Sequence, residues 1–292
     1  MAERTFISFD WAIKKVLRHK ENFTVLEGFL SELLGFDVII ENLLESEGNQ
    51  KTEDDKFNRV DILVKSENGE LMLIEVQYDD EEDYFHRMVY GICKLISEYI
   101  SAGQKYGEIK KAYSINILYF RLGQGKDYIY EYEGNFVGRK MKDILNPTNY
   151  QKKKYGITKV ADIFPKYYVL RVGSFKEDKA IDPMDQWMYF LKNSEIKDDF
   201  NAKGMSEAKQ VLSYENMSDI DKHAYNRHIE NRRIEMSVTE TAEDKGARKK
   251  AIEVAKNSLR KGFMIDDISE ITQLTYDEVL ILSKGGELDK EE

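Results

Sequence analysis

The stretch RVDILVKSENGELMLIEVQ, residues 59–77, sets Asp61 and Glu75 inside two short apolar runs. Bare carboxylates are costly to desolvate, so acids beside Ile62, Leu63 and Val64, or between Ile74 and Val76, call for a cation or donors to face them. Gln77 lies two residues past Glu75 and so shares its strand face. Asp61, Glu75 and Gln77 together offer two anionic ligands and a neutral amide, a set that suits Mg²⁺ or Mn²⁺ rather than a softer metal. Such an ion polarises a phosphate and lowers the pKa of a bound water, the chemistry of phosphodiester hydrolysis. The alternative is that both acids sit at strand ends on a solvated face.

Which holds depends on the turn between the strands. A two-residue Asn68-Gly69 loop puts Asp61 opposite Val76 and Glu75 opposite Ile62, so the acids face opposite sides of the sheet. A three-residue loop, Glu67-Asn68-Gly69 with Gly69 left-handed in a bulge, puts Asp61 opposite Glu75. Like charges so placed repel unless a cation lies between them.

The elements that must hold these residues follow from periodicity. A helix is expected to start near Ser8-Phe9-Asp10 with Asp10 as its cap, and a second to run from about Glu21 to Leu34 and end at Gly35. FDVIIENLL reads as extended chain, and residues 45–56 as a polar surface loop. After the hairpin, Phe85, Met88, Val89, Ile92, Leu95, Ile96 and Tyr99 recur at helical spacing, ending at Gly103. The opposite face carries Arg87, Tyr90 and Lys94, and Arg87 or Lys94 would neutralise phosphate charge if that face borders the acids. The alternative for this face is plain solvation. AYSINILYF reads as a strand reached by a crossover, DYIYEYEG and KYYVLRVGSF as further strands, and DPMDQWMYFLKN as a helix opened by Pro183. The class is therefore α/β, with a mixed sheet flanked by helices. Composition turns to long charged helices after Met205, which places a boundary between residues 1–204 and 205–292. Thr275 with Glu278 reads as a capping box opening the last helix.

Composition limits the function classes. The 292 residues carry 44 Lys and Arg against 54 Asp and Glu, a net charge of −10. That balance argues against a general nucleic-acid coat, while KKVLRHK, GRKMK and QKKKYG remain locally basic. Cys93 is the only cysteine, which excludes a disulfide within the chain and a multi-cysteine metal site; in its apolar helix pattern it is expected to pack. His223 and His228 are five apart, one more than two ligands on one helix face require. No apolar run approaches the ~20 residues of a membrane span, and the N-terminus lacks the layout of a signal peptide, so no membrane association and a cytoplasmic location are expected.

The run 59–77, followed by YFHRMVYGICKLISEYISAGQKYGEIKKAYSINILYF and later by FPKYYVLRV and DPMDQWMYFLK, resembles the Rpn family of recombination-promoting nucleases, putative transposases of the PD-(D/E)xK superfamily. The resemblance covers residues 5–195. It implies a restriction-endonuclease-like core, Mg²⁺-dependent cleavage of DNA, and a role in recombination. It assigns metal binding to Asp61 and Glu75 and puts Gln77 where the superfamily carries lysine. A glutamine carries no positive charge, so Arg87 or Lys94 substitutes from the helix or activity is weak. An additional acid on the first core helix would be Glu27 or Glu32. Two other readings stand beside this one. The first is a weak or inactive nuclease-fold protein that binds DNA or protein through its helical tail, although the last helix, TYDEVLIL, is acidic. The second is a homo-oligomer joined through those helices, because Ala247, Ala251, Val254, Ala255 and Leu259 form a stripe that needs a partner, in the same chain or a second copy.

Overall fold

A computed structural model describes residues 6–44, 62–99, 105–176 and 182–288. The chain divides into two compact units, Met1–Asp219 and Ile220–Glu292.

In the first unit, helices α1 (Phe9–Lys15) and α2 (Phe23–Leu34) precede strands β1 (Ile40–Leu44), β2 (Ile62–Ser66) and β3 (Leu71–Gln77). Helix α3 (Tyr84–Tyr99) leads to β4 (Ala112–Leu118) and β5 (Ile129–Tyr132). Then come α4 (Asn149–Tyr155), β6 (Lys166–Arg171), α5 (Pro183–Asn193) and α6 (Met205–Val211). The six strands form one mixed sheet in the order β1-β2-β3-β4-β6-β5. β3, β4 and β6 are parallel, while β1, β2 and β5 add antiparallel edges. The mixed sheet with flanking helices and a helical C-terminal region is the expected class.

Parity along the central strands explains their apolar runs. On one face Leu71 and Leu73 of β3 and Ala112 of β4 pack with Ile92 and Leu95 of α3. The alternate residues, Met72 and Ile74 of β3 and Ile115 and Ile117 of β4, are also buried. A sheet whose central strands are covered on both faces needs apolar residues at nearly every position, and this makes the exceptions, Glu75, Ser114 and Asn116, informative.

Turn chemistry fixes the hairpin. Gly69 has φ 79°, its N–H donates to the Ser66 carbonyl at 2.8 Å, and the Ser66 N–H donates to the Glu70 carbonyl at 3.0 Å. This is the three-residue loop with a left-handed glycine. Ile62 accordingly pairs with Ile74 and Leu63 with Leu73.

Three expectations are corrected here. Ser8 occupies the N-cap of α1, and Asp10 lies inside the first turn and is buried. The buried stripe of α3 is Tyr84, Met88, Ile92 and Leu95, so Phe85 and Val89, 53% and 52% exposed, face outward. Cys93 is exposed as well, because it follows Ile92 by one residue and so points about 100° away from it.

α2 packs on α5 and α6, where α2 and the turn before α6 meet backbone to backbone. A methyl built on Gly28 would run into the Lys203 carbonyl oxygen and lie 2.5 Å from the Gly204 Cα. Gly28→Ala is expected to cost about 2 kcal/mol, the range for overpacking a rigid contact, read as a lower urea midpoint. Because α6 is seated on α2, it belongs to the first unit, and the division at Asp219 falls later than the composition shift at 204/205.

The second unit contains most of α7 (Asp219–Arg260), with α8 (Ile265–Thr272) and α9 (Tyr276–Ser283). Ala255 packs with Ile268, Leu274, Val279 and Leu282, and Ala251 and Leu259 join them. That part of the apolar stripe is thus covered from within the chain. Thr275 and Glu278 form the capping box that opens α9, and Arg248 Nη2 ties α7 to Glu278 at 2.6 Å. No described helix is long and apolar enough to cross a membrane.

Candidate active site

Glu75 is 6% exposed and stands near the C-terminal end of β3, paired in register with Asn116 of β4. Its face is the one covered by α3, and the first turn of that helix brings the groups that surround it. The Tyr84 hydroxyl lies 3.3 Å from Glu75 Oε2 and 3.1 Å from Asn116 Oδ1, so one proton serves two acceptors. Asn116 is held in turn, its Nδ2 donating to Ser114 Oγ at 2.9 Å and to the Tyr168 carbonyl at 3.0 Å. Arg87 Nη2 is 3.8 Å from Glu75 Oε1. The same guanidinium donates from Nη1 to both oxygens of Glu81, at 2.7 and 3.0 Å, and its Cζ lies 5.6 Å from the Tyr84 ring centroid. Gln77 Nε2 donates to Glu81 Oε1 at 2.8 Å.

These contacts set the protonation of the helix groups. Burial, reinforced by the charge of Glu75, pushes the Tyr84 hydroxyl far above the usual tyrosine range, so it remains a donor. Burial pulls Arg87 down, but the charges of Glu75 and Glu81 outweigh it and the net shift is upward, so the guanidinium stays cationic. Among the described contacts, Arg87 is shared between the carboxylates of Glu75 and Glu81.

The sequence-derived candidates fall as follows. Glu75, Gln77 and Arg87 are joined in one network through Glu81. Lys94 is paired with Glu98 at 3.8 Å, about 10 Å farther along α3 by helical rise. Glu27 accepts the Ile40 N–H at 2.8 Å and Glu32 the Lys203 N–H at 2.9 Å, so both tie α2 to neighbouring backbone. Asp61 lies outside the described residues. Glu81, Tyr84 and Asn116 were not singled out from the sequence. The signal was there in part, since Glu81, Tyr84 and Arg87 recur every third residue at a helix start, and Asn116 interrupts an apolar strand.

Among the described residues no cluster of three or more His, Cys, Asp or Glu could hold a metal ion. The donors at Glu75 are nonetheless of the right kind, since hard carboxylate oxygens suit a divalent cation such as Mg²⁺.

No curated protein and no solved structure matched the chain. One family model did, that of the PD-(D/E)XK nuclease family transposases, over residues 7–146. The matched segment runs from α1 past β5 and so includes the hairpin, Glu75, Gln77 and the whole of α3. Over residues 7–146, a little under half of its length, the chain is thus similar to the PD-(D/E)XK nuclease family transposases.

Proposed function

We propose that this protein is a Mg²⁺- or Mn²⁺-dependent DNA endonuclease acting in recombination or transposition, with Asp61 and Glu75 as its metal ligands. The observation that carries the reading is the hairpin register. Ile62 faces Ile74, as the three-residue loop requires, and it is for that loop that the sequence expects Asp61 opposite Glu75; Asp61 itself lies outside the described residues. The bound ion would polarise the scissile phosphate and acidify a water.

The chain's own residues have separate tasks. Tyr84 holds Glu75 Oε2 in place and cannot compete with it as an anion. Glu81 orients Gln77 through its amide, leaving that side chain to position water or phosphate rather than to supply charge. Arg87, 22% exposed at its side chain and 3.8 Å from Glu75, supplies the cation that offsets charge in the transition state. It is better placed for this than Lys94, which is paired with Glu98.

Calorimetric titration of Mn²⁺ into wild type and Asp61→Ala tests the ligand assignment. The variant is expected to lose at least about 10-fold in affinity, as loss of even an outer-sphere partner does, and EDTA is expected to stop nicking of supercoiled plasmid by wild type. Equal Mn²⁺ affinity in the two proteins would remove Asp61 from the site.

A further inference from the structure

The protein carries a net charge of −10, yet one end of its sheet is basic and aromatic. Lys105 and Lys110, on the loop leading into β4, and Lys152 and Lys153 on α4 have no carboxylate partner among the described residues. Lys154 Nζ lies 5.5 Å from the Tyr150 ring centroid and 5.2 Å from that of Tyr155. Tyr106 and Tyr150 are 87% and 71% exposed, the most open tyrosines described.

Tyr150, Lys154 and Tyr155 adjoin the Tyr106 turn, whereas Lys153 and Lys152, one and two residues before Lys154, point about 100° and 200° away from it. A methyl built on Gly107 would lie 2.7 Å from Tyr155 Cε1, so the end of α4 rests on the backbone of the turn that presents Tyr106. Between them opens a cleft of ≈ 410 Å³ whose lining includes Tyr106, Lys110, Lys111, Tyr113 and Tyr155. Its acids are engaged: Glu70 accepts from the Tyr113 hydroxyl at 3.3 Å, and Asp162 accepts the Thr158 and Lys159 N–H groups at 2.8 and 3.0 Å. Lys111, on the wall, is paired with Glu133 at 2.7 Å. Glu108, on the Tyr106 turn, is the acid left facing out. Those hydrogen bonds leave both carboxylates charged, so the cleft lining itself is near neutral and the positive excess lies on Lys105, Lys110 and the lysines of α4, against the sign of the chain.

Lysines that lack carboxylate partners fit phosphates, and open tyrosine rings fit base faces. Duplex DNA keeps its base faces stacked, so exposed rings favour a single strand. We infer that this cleft and the adjoining side of α4 bind a single-stranded DNA segment, its phosphates on Lys110 and Lys154 and its bases on Tyr106 and Tyr150. Glu70, at the cleft, immediately precedes β3 and lies five residues before Glu75, about 16 Å in extended chain. The strand held here is thus held away from Glu75, and the choice of DNA over RNA rests on the nuclease reading.

Fluorescence anisotropy with a labelled oligothymidylate, in EDTA so that nothing is cut, tests the inference. The double variant Lys110→Gln/Lys154→Gln is expected to bind at least about 10-fold more weakly, with a salt slope smaller by about 1 to 1.5, since each single-strand phosphate contact contributes about 0.7. Tyr106→Ala/Tyr150→Ala is expected to lose about 10-fold or more with the slope unchanged, because stacking carries no counterion release. All these side chains are on the surface, and a circular dichroism spectrum checks folding. Unchanged affinity in both variants, or a loss confined to duplex DNA, overturns the inference, and an equal loss with oligouridylate overturns its restriction to DNA. Binding is read in EDTA without cleavage and nicking is read with metal, so failure of the nuclease reading and failure of this one show in different assays.

Discussion

Glu75→Gln is expected to abolish nicking of supercoiled plasmid, by at least about 10³-fold, while leaving the fold in place. The substitution conserves volume and keeps an oxygen to accept from the Tyr84 hydroxyl, 3.3 Å away in wild type. What it removes is the charge. A half-buried arginine stripped of its partner is costly, but Arg87 retains both oxygens of Glu81 at 2.7 and 3.0 Å, so stability is expected to change by less than about 1 kcal/mol. Chemical denaturation beside the plasmid assay separates the two quantities. Retained nicking in a folded Glu75→Gln protein would show that the hydrolysis lies elsewhere, and the buried carboxylate would then be a structural acceptor for Tyr84 alone.

How legible this arrangement was can be argued residue by residue. Glu75 stood out because an acid inside an apolar strand is costly, and the same argument flags Asn116 of β4, which escaped notice because an uncharged amide is a weaker anomaly than a carboxylate. The hairpin was reduced to two registers by the turn sequence, and the position of Gly69 in the left-handed region selects between them; sequence alone does not say whether Glu67 joins the loop. The helix after the hairpin was found, but its phase was not. Phe85 and Val89 share a helical spacing with Met88 and Ile92, and hydrophobicity cannot tell which edge of a wide apolar stripe faces the sheet. Tyr84, an amphipathic residue, decides it: it is fully buried because its hydroxyl has two acceptors waiting. That rotation also brings Arg87 to Glu75 and leaves Cys93 outside. The C-terminal helices were legible as helices, but whether a second copy or α8 and α9 would cover the stripe of α7 depends on a chain reversal near Gly262, at φ 80°, which composition does not reveal.

Trp187→Ala is expected to produce the opposite pattern, a large loss of stability with the chemistry of the site untouched. Trp187 of α5 is fully buried and stacks edge-on to Phe29 of α2 at 5.5 Å and to Phe9 of α1 at 6.3 Å. Phe190, one turn on, contacts both Trp187, at 6.1 Å, and Phe9, at 6.2 Å. Three helices far apart in sequence thus share one ring cluster, and the indole is its largest member. Its N–H also donates to the Lys203 carbonyl at 3.2 Å, at the turn that Gly28 approaches so closely. Truncation to alanine empties the cluster's centre and takes a donor from that buried turn, at a cost of about 3–5 kcal/mol. For a unit of this size that lowers the melting temperature by about 10 °C, which scanning calorimetry would read directly. At temperatures where the variant remains folded, nicking per folded molecule is expected to match wild type, since none of these rings belongs to the network of Glu75, Arg87, Glu81 and Gln77. A loss of specific activity in folded Trp187→Ala would mean that packing among α1, α2 and α5 holds the catalytic residues in place, so that the aromatic cluster and the acidic site could no longer be treated as independent.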